Sequence, residues 1–520
     1  MDHDALLLLL GSLAAVAAAS LWFLCRGSKS SSKLPLPPGP RGWPVLGNLP
    51  QLGAKPHHTM AALSHQFGPL FRLRFGSAEV VVAASAKVAG QFLRAHDANF
   101  SDRPPNSGAE HVAYNYQDLV FAPYGARWRA LRKLCAVSLF NAKALDALRA
   151  VREDEVRVMV SQLHAAADAS SSPVAVGQEA NVCATNALAR AAVGRRVFGS
   201  AAGEGAREFK DMVVELMQLA GVFNIGDFVP ALRWLDPQGV VGKMKRLHRR
   251  YDGMMDGFIS ERDQRKGAGD GKDLLSVMLG NMRPDGGAGE EDGMSFNHTD
   301  IKALLLNLFT AGTDTTSSTV EWALAELIRH RDILTQAQRE LDDVVGRDRL
   351  VTESDLPRLT FLSAIIKETF RLHPSTPLSL PRVAAEDCEV DGYSIPKDTT
   401  LLVNVWAIAR DPASWGPDAL EFKPARFLAG GSHESVDVKG SDYELIPFGA
   451  GRRICAGLSW GLRMVTLMTA TLVHAFDWSL VDGMTAEKLD MEEAYGLTLQ
   501  RAIPLMVRPA PRLLPSAYTV

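Results

Sequence analysis

The stretch PFGAGRRICAG, residues Pro447 to Gly457, sets one of the chain's five cysteines, Cys455, among three glycines and two arginines. A cysteine that only fills a core is a small hydrophobe and needs no bare backbone on either side. Here Gly449, Gly451 and Gly457 allow positive φ and let the main chain approach something bulky and flat. Arg452 and Arg453 add positive charge suited to carboxylates. The loop leads directly into a helical pattern, Leu458–Phe476, whose N-terminal dipole stabilises a thiolate. Phe448 is placed to shield the sulfur from water. A nucleophilic cysteine would need a histidine partner and an oxyanion site, and nothing nearby supplies them. The stretch reads as a thiolate loop built to hold a cofactor.

Around it lies ordinary globular material: 520 residues, 47% hydrophobic and 22% charged, enough for a large core. Lys and Arg number 56 against 59 Asp and Glu and are spread along the chain, which argues against nucleic acid as a partner. The cysteines, Cys25, Cys135, Cys183, Cys388 and Cys455, are far apart and form no C-x-x-C pair. A zinc site or redox dithiol is thereby disfavoured, a disulfide framework would leave one thiol over, and a reducing, cytosol-facing setting fits.

From Ala5 to Cys25 the chain is apolar and uncharged, long enough to cross about 30 Å of hydrocarbon. Asp2 and Asp4 precede this segment and Arg26, Lys29 and Lys33 follow it, the reverse of a cleaved signal peptide. The positive-inside rule then leaves the rest of the protein on the cytosolic side. The expected organisation is an anchor over 1–26, a proline-rich hinge over 27–52 and a catalytic domain over 53–520. Strand patterns over Leu70–Phe75 and Glu79–Ala83 form a hairpin, and short strands return at Cys388–Val390 and Leu401–Val403. Helical periodicity covers Arg127–Phe140, Leu145–Ala166, Arg207–Ala220, Asp300–Arg329, Asp332–Val345 and Leu362–Leu372. The expected fold is mainly α with small β-sheets.

Three further motifs accompany the cysteine loop. AGTDTT, Ala311 to Thr316, lies inside the longest helical pattern, where a glycine costs about 1 kcal/mol relative to alanine, so Gly312 is expected to provide space. Asp314 and Thr315 place an acid beside a hydroxyl, the pair a proton relay needs. Glu368-x-x-Arg371 shares one helix face, and FKPARF offers Arg426 as the third member of a buried network. Trp128-x-x-x-Arg132 puts an indole and a guanidinium one turn apart, both able to donate to a carboxylate. Taken singly, each also reads as a solvated helix face, a surface ion pair or an exposed basic helix.

Together and in this order, the motifs resemble the membrane-anchored cytochrome P-450 family of haem-thiolate monooxygenases, over the whole chain. The resemblance implies the cytochrome P-450 fold behind a single N-terminal transmembrane helix. It implies haem b, with Cys455 as axial ligand to the iron and Phe448 and Gly457 completing the cofactor loop. Trp128, Arg132, Arg382 and Arg453 are then expected at the haem carboxylates, Thr315, Asp314 and Gly312 in oxygen activation, and Glu368, Arg371 and Arg426 as a structural triad. Where the family usually has P-E-R-F, this chain has Pro424-Ala425-Arg426-Phe427. NADPH is expected to act indirectly, through a separate NADPH-cytochrome P-450 reductase, because no Gly-rich dinucleotide fingerprint is evident. The implied location is the endoplasmic reticulum membrane, single-pass, with the catalytic domain on the cytosolic face.

Within that family the chain is similar to plant flavonoid 3'-hydroxylases, notably in VVVAAS (Val80–Ser85), in VDVKGSDYELIPFGAGRRICAGLSWGLRM and in EEAYGLTLQ. This likeness implies hydroxylation of the flavonoid B-ring at 3' and association with other enzymes of flavonoid synthesis. Asn307, Phe309, Thr313, Thr376 and Thr498 are the candidate substrate contacts, with Thr498 over the haem where the 3',5'-hydroxylases usually carry Ala or Ser. A GGEK element common in the 3'-hydroxylases is absent, and GGSHES stands near its place. The alternatives are a 5'- or 3',5'-hydroxylase, a monooxygenase of another plant phenolic, a hydroperoxide-rearranging haem-thiolate enzyme, and a membrane-tethered haem sensor.

Overall fold

The computed structural model describes residue 11 and residues 34–168, 173–199, 203–264, 273–282, 296–481 and 483–518. The expected anchor falls, apart from Gly11, outside the described residues, among which no helix is long and apolar enough to cross a membrane. The described part of the proline-rich segment is tied to strands of two sheets: Pro38 O accepts from Arg72 N at 2.7 Å, Pro35 O accepts from Ser394 N at 2.9 Å, and Asn48 N donates to Arg74 O at 2.6 Å.

Helices dominate, with four small sheets among the described residues. One sheet contains β1 (Leu70–Phe75), β2 (Ala78–Ala83), β3 (Arg382–Val383) and β4 (Thr400–Val403), in the order β1-β2-β4-β3. The β1–β2 hairpin pairs Leu70 with Ala83 and Phe75 with Ala78. β2 runs parallel to β4, whose Leu401 pairs with Arg382 of β3 and so fixes that arginine on a strand. Alternation along β1 sends Phe71, Leu73 and Phe75 into one apolar cluster and Leu70 into another.

Five helices position the site: α1 (Ala126–Cys135), α2 (Val176–Val193), α3 (His298–Arg329), α4 (Thr360–Leu372) and α5 (Leu458–Ala475). The helical pattern Arg127–Phe140 is α1 continued by a π turn, Ala136–Phe140. The pattern Leu145–Ala166 is divided, because Asn141 caps a separate short helix, Ala142–Ala147, before Arg149–Asp168 begins. α3 has 32 residues and spans about 48 Å. It starts at a capping box, Asn297 with Asp300, which satisfies two orphan N–H groups at once. Its threonine hydroxyls turn back onto the helix: Thr310, Thr313, Thr315, Thr316 and Thr319 each donate to the carbonyl four residues back. Packed across it is α2, a helix the periodicity did not reveal. Twelve of its residues are buried, so it lacks the polar face that makes a helix visible in sequence.

Candidate active site

The cysteine loop is held by its own backbone. Cys455 N donates to Phe448 O at 2.9 Å, and Ile454 N donates to Gly451 O at 3.0 Å. Gly451 has φ +69, and a Cβ there would collide with Asp97 Oδ1 and lie 2.7 Å from Leu93 O. Gly451→Ala is therefore expected to displace the loop at a strain cost of about 1–3 kcal/mol before the clash is counted. Cofactor content per chain and the unfolding midpoint should fall together, and a variant with unchanged content would show that this glycine is dispensable.

Cys455 faces a cavity of about 270 Å³. Its side chain is open to that cavity yet deep within the protein, and burial pushes its thiol pKa up. The Gly457 N–H and the Arg132 guanidinium act in the opposite direction. The cavity wall contains Trp128, Arg132, Arg382, Phe448, Arg453, Cys455 and Gly457, which lie far apart in sequence. Phe448 meets Phe370 of α4 edge-on, ring centroids 5.1 Å apart.

The charge of this wall is one-sided. Arg103, Arg132, Arg382 and Arg453 line it without a single carboxylate. Burial pulls Arg382 and Arg453 down to about 10, and it pulls Arg103 well below the ordinary guanidinium range. Arg453 Nε donates to Ser101 O and Nη2 to Ala122 O, each at 2.6 Å, while Nη1 is buried with no partner. Arg382 Nη2 donates to Ala450 O at 2.7 Å. Its Nη1 lies 3.5 Å from Asp97 Oδ1 without making a hydrogen bond. Buried cations with spare donors call for an anionic partner. A flat group carrying carboxylates and presenting a metal to the sulfur, as a haem does, meets all three demands.

Other expected contacts are placed differently. The Trp128 indole N–H donates to Leu119 O at 3.0 Å and so is not free for a cofactor carboxylate. Its ring instead carries the Arg453 and Arg132 guanidiniums, 4.7 and 5.8 Å from the centroid. Gly312 lines the cavity, yet the room beside its Cα is taken by Leu188 of α2, 2.6 Å from where a Cβ would stand. Thr315 lines the cavity, but Asp314 does not: Thr498 Oγ1 donates to Asp314 Oδ2, and Gln500 Nε2 donates to both its oxygens at 2.7 Å.

Of the candidate substrate contacts, Asn307 and Thr376 line the cavity. The Asn307 amide is already committed, accepting from Leu119 N at 2.8 Å and Val120 N at 3.2 Å and donating to Asp118 Oδ2 at 2.9 Å. Phe309 points the other way, into an aromatic cluster with Phe209 and Phe258. Thr313 is buried with its hydroxyl on Phe309 O, and Thr498 is spent on Asp314, so neither forms part of the wall. Arg103, Leu188 and Gln500 went unforeseen. Arg103 sits in SDRPP with no pattern around it, yet it donates to Val120 O, Leu380 O and Pro381 O and ties two walls together.

Behind the loop, Arg371 Nε and Nη2 donate to the two Glu368 oxygens at 2.7 and 2.8 Å, and Arg426 Nε donates to Glu368 Oε1 at 3.1 Å. Ala425 takes no part, so the departure from P-E-R-F leaves this network intact.

Residues 37–506 match the profile of the family described as Cytochrome P450. The chain is 73% identical over its full length to a flavonoid 3'-monooxygenase of Oryza sativa subsp. japonica, itself covered in full. It is 58% identical to a flavonoid 3',5'-hydroxylase of Crocosmia x crocosmiiflora, over 98% of this chain and 97% of that one. Among solved structures, a zebra fish cytochrome P450 determined with progesterone aligns at a TM-score of 0.74 and 26% identity, covering 88% of this chain and 99% of that one.

Proposed function

The chain belongs to the cytochrome P450 family, and on that premise we propose that it is a flavonoid 3'-monooxygenase. It hydroxylates the B-ring of flavanones, dihydroflavonols, flavones and flavonols at 3', taking naringenin to eriodictyol, dihydrokaempferol to dihydroquercetin, kaempferol to quercetin and apigenin to luteolin. The observation that carries this reading is the full-length likeness to a flavonoid 3'-monooxygenase, which exceeds the likeness to the 3',5'-hydroxylase.

Haem would be held by Cys455 at the metal and by Arg132, Arg382 and Arg453 at its carboxylates, with Trp128 as the platform under two of those guanidiniums. Once bound through a thiolate, haem supplies oxygen activation for insertion of one oxygen atom into a C–H bond. The protein's part is position, dryness and protons. The wall formed by Leu119, Val120, Leu308, Ala311 and Leu380 is apolar and suits a flat aromatic ring, with Thr376 and Ser379 as sparse polar contacts. Holding the ring in one orientation selects the carbon beside the existing hydroxyl. Asn307, Arg103 and Trp128 fix the Leu119–Val120 wall through its backbone, so their role is shape. Thr315 Oγ1 is the hydroxyl at the cavity from which a proton is passed, and Asp314 serves it from behind α3.

Electrons come from NADPH through a separate reductase, for which Arg129, Lys133 and Arg452 offer basic docking groups, whereas Arg127 pairs with Asp300 at the start of α3. The location consistent with this reading is the endoplasmic reticulum membrane, anchored by 1–26, with 53–520 in the cytosol.

The test is product analysis with the membrane-bound protein, plant reductase, NADPH and naringenin. A single 3',4'-catechol product, eriodictyol, is expected. Accumulation of the trihydroxylated product would move the chain to the 3',5'-hydroxylases. No product from a protein with an intact thiolate-type carbon monoxide spectrum would overturn the flavonoid reading.

A further inference from the structure

The acid next to Thr315 is held from outside the helix that carries it. Its donors among the described residues, Thr498 Oγ1 and Gln500 Nε2, come from one short segment at the far end of the chain. That segment is itself fixed. Gln500 pairs with Ala494, and Arg501 with Glu493, in a two-stranded ribbon. Ser318 of α3 donates to Leu499 O at 3.0 Å, and Leu499 N donates to Ser375 O at 2.8 Å. Glu493 is clamped by His57 Nε2 at 2.9 Å, His58 Nε2 at 2.8 Å and Trp406 Nε1 at 3.0 Å. Ser375 also meets Thr319 Oγ1 at 3.1 Å, and both of those residues line the cavity. The Gln500 amide is thus a preorganised donor, one edge of which covers both carboxylate oxygens.

We propose that Gln500 is a positioning residue for oxygen activation: its amide parks the Asp314 carboxylate behind α3, placing the acid of the relay under the control of the C-terminal ribbon. The assignment rests on the monooxygenase reading above. Its physical basis is an imbalance. Burial pushes the Asp314 carboxyl pKa up, and the Thr498 and Gln500 donors counter it. The other acid coupled to it is Glu321, two turns along α3, whose half-buried carboxylate accepts from Leu505 N at 2.6 Å and feels Arg501. Without the amide, Asp314 keeps a single donor, favours its neutral form more strongly and is free to rotate about its side-chain bonds. Protons then arrive at the Thr315 side out of step with the electrons.

The experiment uses reductase-coupled holoenzyme with Gln500→Leu, Asp314→Asn and the double variant. Q500L is expected to lower product formed per NADPH by roughly 3- to 10-fold, a fraction of the 10²–10⁴ a proton-transfer group supplies. Peroxide should rise correspondingly. The naringenin dissociation constant, read from the substrate-induced absorbance change, should stay within about 2-fold, because Gln500 does not touch the cavity. Adding Q500L to D314N should change nothing further. Independently of turnover, the carboxyl stretching band assigned to Asp314 by its loss in D314N should shift in Q500L. Unchanged coupling with an unchanged band would overturn the proposal. So would a loss that is additive with D314N and accompanied by weakened substrate binding, since that describes a packing residue. If Q500L does not fold, Thr498→Val removes the other donor and should move the same band in the same direction; an unmoved band would again overturn it. A wild-type protein that forms no product would defeat the monooxygenase reading, whereas the infrared band still judges Gln500.

Discussion

Cys455→Ala will abolish product formation and the thiolate-type carbon monoxide spectrum while leaving the helical fold in place. The cost should exceed about 100-fold, the upper end of what losing an outer-shell partner of a metal site causes. Burial keeps this thiol's pKa raised, and the loop opposes that only in part. It does so with the Gly457 N–H at the start of α5, where no side chain caps the helix, and with Arg132, whose Nη1 donates to Ile454 O at 2.5 Å. Because Cys455 N is tied to Phe448 O, the alanine variant keeps the loop's backbone closure. Cys455→Ser separates geometry from chemistry. It preserves size and the Gly457 contact but offers a harder, weaker ligand, and its reduced carbon monoxide spectrum should lose the thiolate-type band even where some haem is retained. A serine variant that kept both band and turnover would remove Cys455 from the metal.

The cysteine loop and the Glu368–Arg371 pair were legible in the sequence because both are short-range problems. Glycine spacing limits what backbone can form, and an i,i+3 acid–base pair shares a helix face wherever the helix lies. The relay was legible only in part, for a geometric reason. Asp314 falls off the stripe of α3 that faces the cavity, whereas Thr315 lies on it. The wall uses Leu308, Ala311, Gly312, Thr315, Thr316 and Thr319, a stripe at helical spacing. Phe309 and Thr313 lie off that stripe, and the spacing itself excluded them as wall residues. The partners of Asp314 were hidden for another reason: Thr498 and Gln500 are 184 and 186 residues away, and no local pattern announces a pairing of that range. Arg103 and α2 were invisible in the same sense, the first for lack of a motif and the second for lack of a polar face.

Glu368→Gln should destabilise the protein by about 3–5 kcal/mol, the usual result of leaving one side of a buried ion pair uncompensated. The carboxylate is fully buried and accepts four hydrogen bonds, two from Arg371, one from Arg426 and one from Lys423 N at 2.8 Å. The amide keeps the volume but replaces one acceptor with a donor aimed at guanidinium N–H groups. Arg371 would still hold Ala409 O, Ala419 O and Glu421 O at 2.7, 2.5 and 2.9 Å, so its charge stays buried rather than escaping to solvent. That is why removing the acid should cost more than an exposed pair of the same spacing, worth at most about 1 kcal/mol. The effect should also reach the cofactor. Arg371 ties the 409–421 segment beneath α4, and its neighbour Phe370 forms the cavity wall against Phe448. Loosening α4 therefore loosens the shield over the sulfur. Denaturant midpoint and haem content should fall together in E368Q, with Glu368→Asp, which keeps the charge but shortens the reach, falling between it and wild type. Equal midpoints for E368Q and wild type would mean that the network adds nothing to stability, and the two arginines would then need another account.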